Sequence, residues 1–440
     1  MNLAPHTLMT SAANAVRRPR HLALATAWLA GRALMLWLLA HNGLAVLGGG
    51  RVAGEVWWLY HRWYGGLAHG VFPAHDPLWQ YPPGAGPVLL SPALLPGLTY
   101  FQAFVALTLA ADAAVTGALV RAGGRPGHSL CGAAVWVGGL PLLLHLPLAR
   151  YDVQVTALAV LALLAWSRYP RVCGALAAAG ALVKVWPALV LLGPARGRAA
   201  RSAWTWAALT AAAVLALFAA VCRDPFSFLL QQGGRGVQIE SFGGTLLGLA
   251  THAGWPGTVG YRYGAMEFTG PYVPAVAAAS LAFTGVAFAL LLLWRVRARN
   301  WTPATPYDAA LSAVLLFTVT SRVISPQYMV WLVGLAAVCL TSRHTTQRPV
   351  AALIVAATAV SSVVYPVLYH EVVTSTWTGC ALMLVRNGLL AAAAALSFIR
   401  LWRSTDGPPH LPPRLPGGPL ASLLPLPARR LSGAHRSPSR

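Results

Sequence analysis

A chain of 440 residues that is 57% hydrophobic and only 10% charged lies far below the roughly 25% charged residues of soluble domains, which excludes an ordinary soluble fold. Its net charge of +22 raises the question of a nucleic-acid partner, but the arginines fall in short loops between apolar runs rather than along one polar face, so no nucleic acid is expected and the arginines read as topology signals. The composition specifies an all-α polytopic membrane protein embedded in a lipid bilayer.

In chain order, Arg17, Arg18 and Arg20 precede an apolar run that reaches about Leu47, longer than a signal-peptide core of roughly 7 to 15 residues. Residues 1–21 are therefore expected to be a cytoplasmic N-terminus and the run a retained first span. Further spans are expected at about 98–120, 129–149, 153–167, 203–222, 273–294, 307–321, 328–341, 349–368 and 378–402, after a first at 22–45, each judged against the roughly 20 residues that cross the hydrocarbon. The stretch from Val172 to Leu192 has arginines at both ends (Arg168, Arg171; Arg196, Arg198, Arg201), which forbids a single crossing. It is expected as two short helices broken near Lys184, Trp186 and Pro187. The count is then about 10–12 transmembrane segments over 22–402, with both termini cytoplasmic. The arginines at Arg121 and Arg125, Arg168 and Arg171, Arg196 to Arg201, Arg295 to Arg299, Arg343 and Arg348, and Arg403 onward fall inside, and seven of the ten acids (Glu55, Asp76, Asp152, Asp224, Glu240, Glu267 and Glu371) fall outside. Long external loops are expected at about 48–87 and 223–272.

From Arg403 onward, nine prolines, six arginines and one acid in 38 residues offer no apolar period to offset ordering entropy, so 403–440 is expected as a disordered cytoplasmic tail. A contact with anionic lipid through Arg429, Arg430, Arg436 and Arg440 is the alternative to a solvated tail. The five cysteines lack any CxxC spacing, so no zinc site is indicated, and Cys222 with Cys380 is the one disulfide pairing considered.

Four polar groups interrupt the apolar pattern on the external side. The first loop carries Glu55 in an aromatic run and Asp76 before Trp79, Gln80, Tyr81, Pro82 and Pro83. The second group is Arg150, Tyr151 and Asp152, followed by the break at Lys184, the only lysine in the chain. A lysine at membrane depth costs about 3 kcal/mol and is a functional candidate by default; a structural pair with Asp152 is the other reading. The third group is GGRGVQIESFGG, with Arg235, Gln238, Glu240 and Ser241 between glycines, and lacks the spacing of a phosphate loop. The fourth is SRVISPQYMVW, with Arg322, Ser325, Pro326, Gln327 and Tyr328, donors of the kind that suit an anionic head group. Apart from these, Arg32 and Asp112 stand mid-span and are expected to pair.

In the order WQYPPGA, RYD, KVWP, RGVQIES and SPQYMVW after Glu55, the chain resembles bacterial members of glycosyltransferase family 87, the polyprenol-phosphate-mannose-dependent mannosyltransferases of the type C superfamily, over about residues 20–402. The resemblance implies type C architecture in a bacterial plasma membrane, with a long first external loop bearing a catalytic acid and an active site on the external face. It also implies a polyprenyl-phosphate sugar donor and a glycolipid or glycan acceptor. Relatives usually carry Asp where Glu55 aligns, and some carry His near the position of Gln327 and Tyr328. Glu55 as base, Asp76 in its place, or a member that binds without turnover therefore remain open.

The chemistry of such a transfer needs one base for the acceptor hydroxyl and donors for the departing phosphate. Phosphate leaves without a proton, so no second acid is required. Glu55 and Asp76 are the candidates for base. Lys184, Arg322, Gln327 and Tyr328 are assigned to the donor phosphate, and Tyr81, Arg150, Asp152, Arg235 and Glu240 to donor or acceptor head groups. No metal or other cofactor is expected. A transporter or flippase of a lipid-linked sugar is the competing class, but such proteins place polar groups near the midplane and show internal repeats, whereas these motifs gather at one face.

Overall fold

The computed structural model describes residues 5–41, 52–222, 224–227, 229 and 234–407, with side chains from Pro19 onward. Residues 408–440 of the expected tail, with Arg429, Arg430, Arg436 and Arg440, and residues 42–51, where the first span was expected to give way to the first external loop, lie outside the described residues.

The chain is a helical bundle, as its composition requires. The first helix is α1 (Pro5–His41). It is followed by the short helices α2 (His61–Ala68) and α3 (Ala85–Leu90) and then by α4 (Tyr100–Gly123), which Thr99 and Gln102 start with a reciprocal capping box. Next come α5 (Cys131–Gly139), α6 (Asp152–Ala165), α7 (Pro170–Val183) and α8 (Arg198–Val221). After α9 (Phe242–Thr251) the chain continues through α10 (Val273–Arg297), α11 (Thr305–Thr320), α12 (Tyr328–Thr341), α13 (Arg348–Ser362), α14 (Tyr369–Val373) and α15 (Trp377–Thr405).

Among the described residues six segments, of 20 to 29 residues, are long and apolar enough to cross a membrane: α1 from Pro19, α4, α8, α10, α13 with the turn after it, and α15. The shorter apolar helices form the interior. From Met329 to Thr341 every residue of α12 is buried, the signature of a helix that is apolar all round, and it packs against α5, α6, α11 and α13. Close approach is set by glycine: a Cβ on Gly132 of α5 would lie 2.1 Å from the Ala337 carbonyl oxygen of α12.

Two expectations about spans have different outcomes. The stretch expected as one span over 129–149 is instead α5 followed by 3₁₀ turns at Leu140–Leu143 and Leu146–Ala149, because Pro141 and Pro147 each remove a helical donor. The stretch expected as two pieces is two pieces. α7 ends at Val183, Lys184 is extended (φ −145°, ψ 132°), and Trp186–Leu192 resumes as a 3₁₀ helix with proline in its first turn.

Arg32 and Asp112 pair as expected, and more completely. Arg32 donates to both carboxylate oxygens at 2.8 and 2.7 Å, the indoles of Trp28 and Trp136 donate to the same carboxylate at 2.7 and 2.8 Å, and Arg32 also reaches the Val137 carbonyl at 2.7 Å. This latch joins α1, α4 and α5. Cys222 and Cys380 are both free thiols, so the disulfide considered from sequence does not form.

The segment expected as a long external loop carries structure of its own. Strands β1 (Val237–Gln238), β2 (Thr258–Arg262) and β3 (Ala265–Thr269) make an antiparallel sheet in the order β1-β3-β2. The bundle thus has two unlike ends. At one, short turns bond to each other: Ser129 N to Thr341 O at 2.9 Å, Asn300 N to Thr405 O at 3.1 Å, and the Trp301 indole to Gly193 O at 2.9 Å. The other end holds the sheet and every motif singled out above.

Candidate active site

Glu55 opens a π-helical turn, Glu55–Tyr60, that leads into α2; such turns recur where a helix must re-aim a side chain. Its Oε2 lies 2.9 Å from Nε of Arg150 in an ion pair without an aligned hydrogen bond, and the Tyr60 hydroxyl stands 3.5 Å away. Arg150 is itself pinned, since Nη1 donates to the carbonyls of Val52 at 2.9 Å and Ala149 at 2.6 Å. The carboxylate therefore has a fixed backing of positive charge, while its side chain remains 30% exposed toward a cavity.

Lys184 sits at the break after α7, where the chain leaves helical geometry and the last turn no longer covers it. Its Nζ is 2.7 Å from Asp152 Oδ1, an oxygen that also accepts from the Trp331 indole at 2.6 Å. Four rings surround the ammonium: Tyr151 at 4.8 Å, Trp331 at 5.2 Å, Tyr81 at 5.8 Å and Tyr328 at 5.9 Å. Ring faces of this kind hold a cation without neutralising it. Tyr328, at the start of α12, stacks on Trp331 at 3.9 Å, so α12 supplies two walls of the box. The first loop reaches the box because Gly84 has no side chain: a Cβ there would lie 2.6 Å from Leu182 O, two residues before Lys184.

The sheet carries the third face. Glu267 of β3 accepts from Arg235 Nε at 3.2 Å and from Gly236 N at 3.0 Å. β1 is stitched to the segment before α12, with Gln238 N bonding Arg322 O at 3.0 Å and Ile324 N bonding Gln238 Oε1 at 3.1 Å. Arg235 and Arg322 are thereby held close. Burial lowers the Arg322 guanidinium below its ordinary value, and the charge of Arg235 lowers it further, against the pull of Glu267. Both guanidiniums belong to residues on the cavity wall, where an incoming anion can meet them.

These faces enclose one cavity of about 370 Å³. Its lining includes Glu55, Gln80, Tyr81, Lys184, Trp186, Arg235, Tyr263, Ser321, Arg322, Ser325, Gln327, Tyr328 and Trp331. A wider recess of about 620 Å³ beside His75 and Asp224 holds none of the motif residues. One carboxylate with three cations in a partly closed pocket is suited to deprotonating a hydroxyl while holding a phosphate.

A family model described as glycosyltransferase family 87 matches residues 79–326, more than half of the chain. The chain belongs to glycosyltransferase family 87. No curated protein and no solved structure matches it. It is thus a multi-pass membrane glycosyltransferase, which works at a bilayer on a sugar donor and an acceptor. The matched segment contains Lys184, Arg235 and Arg322 but begins after Glu55, so Glu55 stands on its position alone.

In this glycosyltransferase the expected site residues divide into three sets. Glu55, Tyr81, Lys184, Arg235, Arg322, Gln327 and Tyr328 line the cavity. Arg150 and Asp152 stand behind it, each against a lining residue of opposite charge. Asp76 and Glu240 lie away from it. Asp76 accepts from Arg62 and Trp63 and, through Oδ1, from Leu78 N, bonds that close the first loop on itself. Glu240 is buried against Arg386, whose Nη2 reaches its carbonyl at 2.8 Å and Oε2 at 3.3 Å, while Asn387 bonds Thr245 at 2.7 Å. Arg386 and Asn387 of α15 were missed from sequence, although a lone arginine within an apolar helix is the signal that marked Arg32. Trp186 and Trp331 lie within the KVWP and SPQYMVW motifs but carry no assigned role there, and Tyr263 is absent from them, because single aromatics at a membrane boundary are commonplace.

Proposed function

We propose that this glycosyltransferase moves mannose from a polyprenyl-phosphate donor to a cell-envelope glycolipid or glycan on the external face of a bacterial plasma membrane, with both termini cytoplasmic. The observation that carries this reading is the shared cavity, whose lining includes Glu55 together with Lys184, Arg235 and Arg322. Glu55 accepts the proton of the acceptor hydroxyl as its oxygen attacks the anomeric carbon. The bond from that carbon to the phosphate oxygen breaks, and its electron pair leaves with the phosphate. Lys184, Arg235 and Arg322, assisted by Gln327 and Tyr328, stabilise the charge that departs. Displacement from the opposite face inverts the anomeric centre, turning a β-linked donor into an α-linked product. Arg150 holds Glu55 in place through their ion pair, and Asp152 holds Lys184.

The test is radiolabel transfer from polyprenyl-phosphate mannose to envelope lipid in membranes carrying wild type, Glu55→Gln or Asp76→Asn. We expect Glu55→Gln to lower the rate by about 10² to 10⁴, the usual contribution of general base catalysis, and Asp76→Asn to retain transfer. Loss of transfer in Asp76→Asn with folding intact would move the base to Asp76. No transfer by the wild type from any lipid-linked sugar would favour a transporter or a binding-only member.

A further inference from the structure

The hairpin of β2 and β3 turns through Tyr263 and Gly264, and Tyr263, Gly264 and Ala265 all line the cavity that holds Glu55 and Lys184. Both turn residues have positive φ, 51° and 78°, the two-residue turn that favours Asn-Gly or Asp-Gly. A tyrosine is a poor choice there, because a bulky side chain in left-handed geometry costs free energy that asparagine avoids. Strain of this kind persists where the surrounding structure over-determines it, and it clusters at ligand sites. Here the surroundings are well anchored: β3 bonds along both edges, and Glu267 fixes Arg235 and Gly236.

Two positions before the turn residue, Tyr261 lies near the end of β2. Its side chain is exposed overall, yet partial burial raises its phenol, the charge of Glu55 raises it further, and Arg150 opposes. The hairpin therefore brings one tyrosine within the field of the base and the next onto the cavity wall. An acceptor hydroxyl must lie against Glu55 to lose its proton, and a ring two residues from Tyr261 on the wall of the same cavity is placed to meet the sugar that carries that hydroxyl.

We propose that Tyr263 is the platform for the acceptor sugar, its ring packing on the C–H face of a pyranose while the hydroxyl to be glycosylated points to Glu55, and that it sets acceptor specificity. The inference rests on the transferase reading above and names the site of its second substrate.

Tyr263→Asn supplies the test, since it removes the ring while installing a residue the turn prefers. Tyr263→Phe keeps the ring and removes only the hydroxyl. Purified wild type and both variants are compared for equilibrium binding of octyl α-mannopyranoside without donor, for transfer from polyprenyl-phosphate mannose to that glycoside in proteoliposomes, and for resistance to unfolding. We expect Tyr263→Asn to unfold no earlier than wild type, to bind the glycoside about three- to tenfold more weakly, the size of one lost aromatic packing contact, and to raise the acceptor KM in proportion with donor KM unchanged. Tyr263→Phe should match wild type. Unchanged glycoside binding in Tyr263→Asn, absence of glycoside binding by the wild type, or a rise confined to the donor KM would each overturn the assignment. Wild-type binding without any transfer would instead defeat the reaction proposed above and leave a sugar-binding platform standing.

Discussion

Lys184 admits two roles, a brace for Asp152 and a cation for the donor phosphate, and the geometry lets them be separated. Asp152 is 1% exposed. One of its oxygens is shared by Lys184 and Trp331, and the other has no partner. Lys184→Met leaves that buried carboxylate with a single indole donor, which costs about 3–5 kcal/mol, the usual penalty for removing one member of a buried pair. Lys184→Met combined with Asp152→Asn removes both charges at once, and most of that loss should return, because an apolar group against a neutral amide leaves no stranded ion. Transfer should not return. A missing cation at a departing phosphate costs about 10² to 10³ in rate, and neither substitution replaces it. SDS-induced unfolding of purified protein reads the first quantity and radiolabel transfer in proteoliposomes the second. Recovery of stability within about 1 kcal/mol with transfer still lost places Lys184 at the phosphate. If the double variant regains transfer along with stability, the lysine is only a brace and the phosphate assignment is refuted.

Two further predictions concern buried charge elsewhere. Asp112→Ala strands Arg32 and two indoles among α1, α4 and α5 and should lower resistance to SDS by about 3–5 kcal/mol while leaving the acceptor KM of the surviving folded protein unchanged; a loss below about 1 kcal/mol would mean that the latch is dispensable. Burial pushes the Glu240 carboxyl up to about 7, against the opposing pull of Arg386 and the Gln238 amide. The folded chain then holds a proton that the unfolded chain releases near about 4.3. Its contribution is full below that value, shrinks as pH rises toward about 7 and is flat above. Unfolding compared at about pH 5 and about pH 8 should show the decline, and Glu240→Gln should abolish it; stability that rises with pH through Glu240 would contradict the assignment.

The sequence carried the breaks well and the convergence poorly. Lys184 before Trp186 and Pro187, and arginines flanking 172–192, required a broken helix because both local geometry and topology demanded it. The 129–149 stretch holds two prolines, but its flanks, Arg125 on the inner side and Arg150 on the outer, fit a single crossing, so it reads as one span. The sheet was illegible for a different reason: strands of two and five residues are too short to show alternation, and β1 is set by pairing with β3 across about 30 residues. Nothing local distinguishes Glu55 from Asp76 or Glu240 either. All three are acids outside the spans, and only their partners separate them: Arg150 pinned by backbone carbonyls, Arg62 on the same loop, and Arg386 on a helix outside every motif.

The placement of the site follows from how a backbone survives in lipid. Irregular main chain at membrane depth leaves donors and acceptors unpaired unless protein or a water-filled cavity satisfies them. The chain gathers its irregular segments at one end: the π turn at Glu55, the 3₁₀ turns before Arg150, the extended Lys184, and the stretch between α11 and α12 that bonds β1. Each break frees a side chain that a continuous helix would hold against its neighbours, and each needs polar company that the others supply. The same requirement explains why Arg322 contributes its carbonyl to the sheet and its guanidinium to the cavity. A cavity lined by a carboxylate and by cations is the arrangement in which these interruptions satisfy one another.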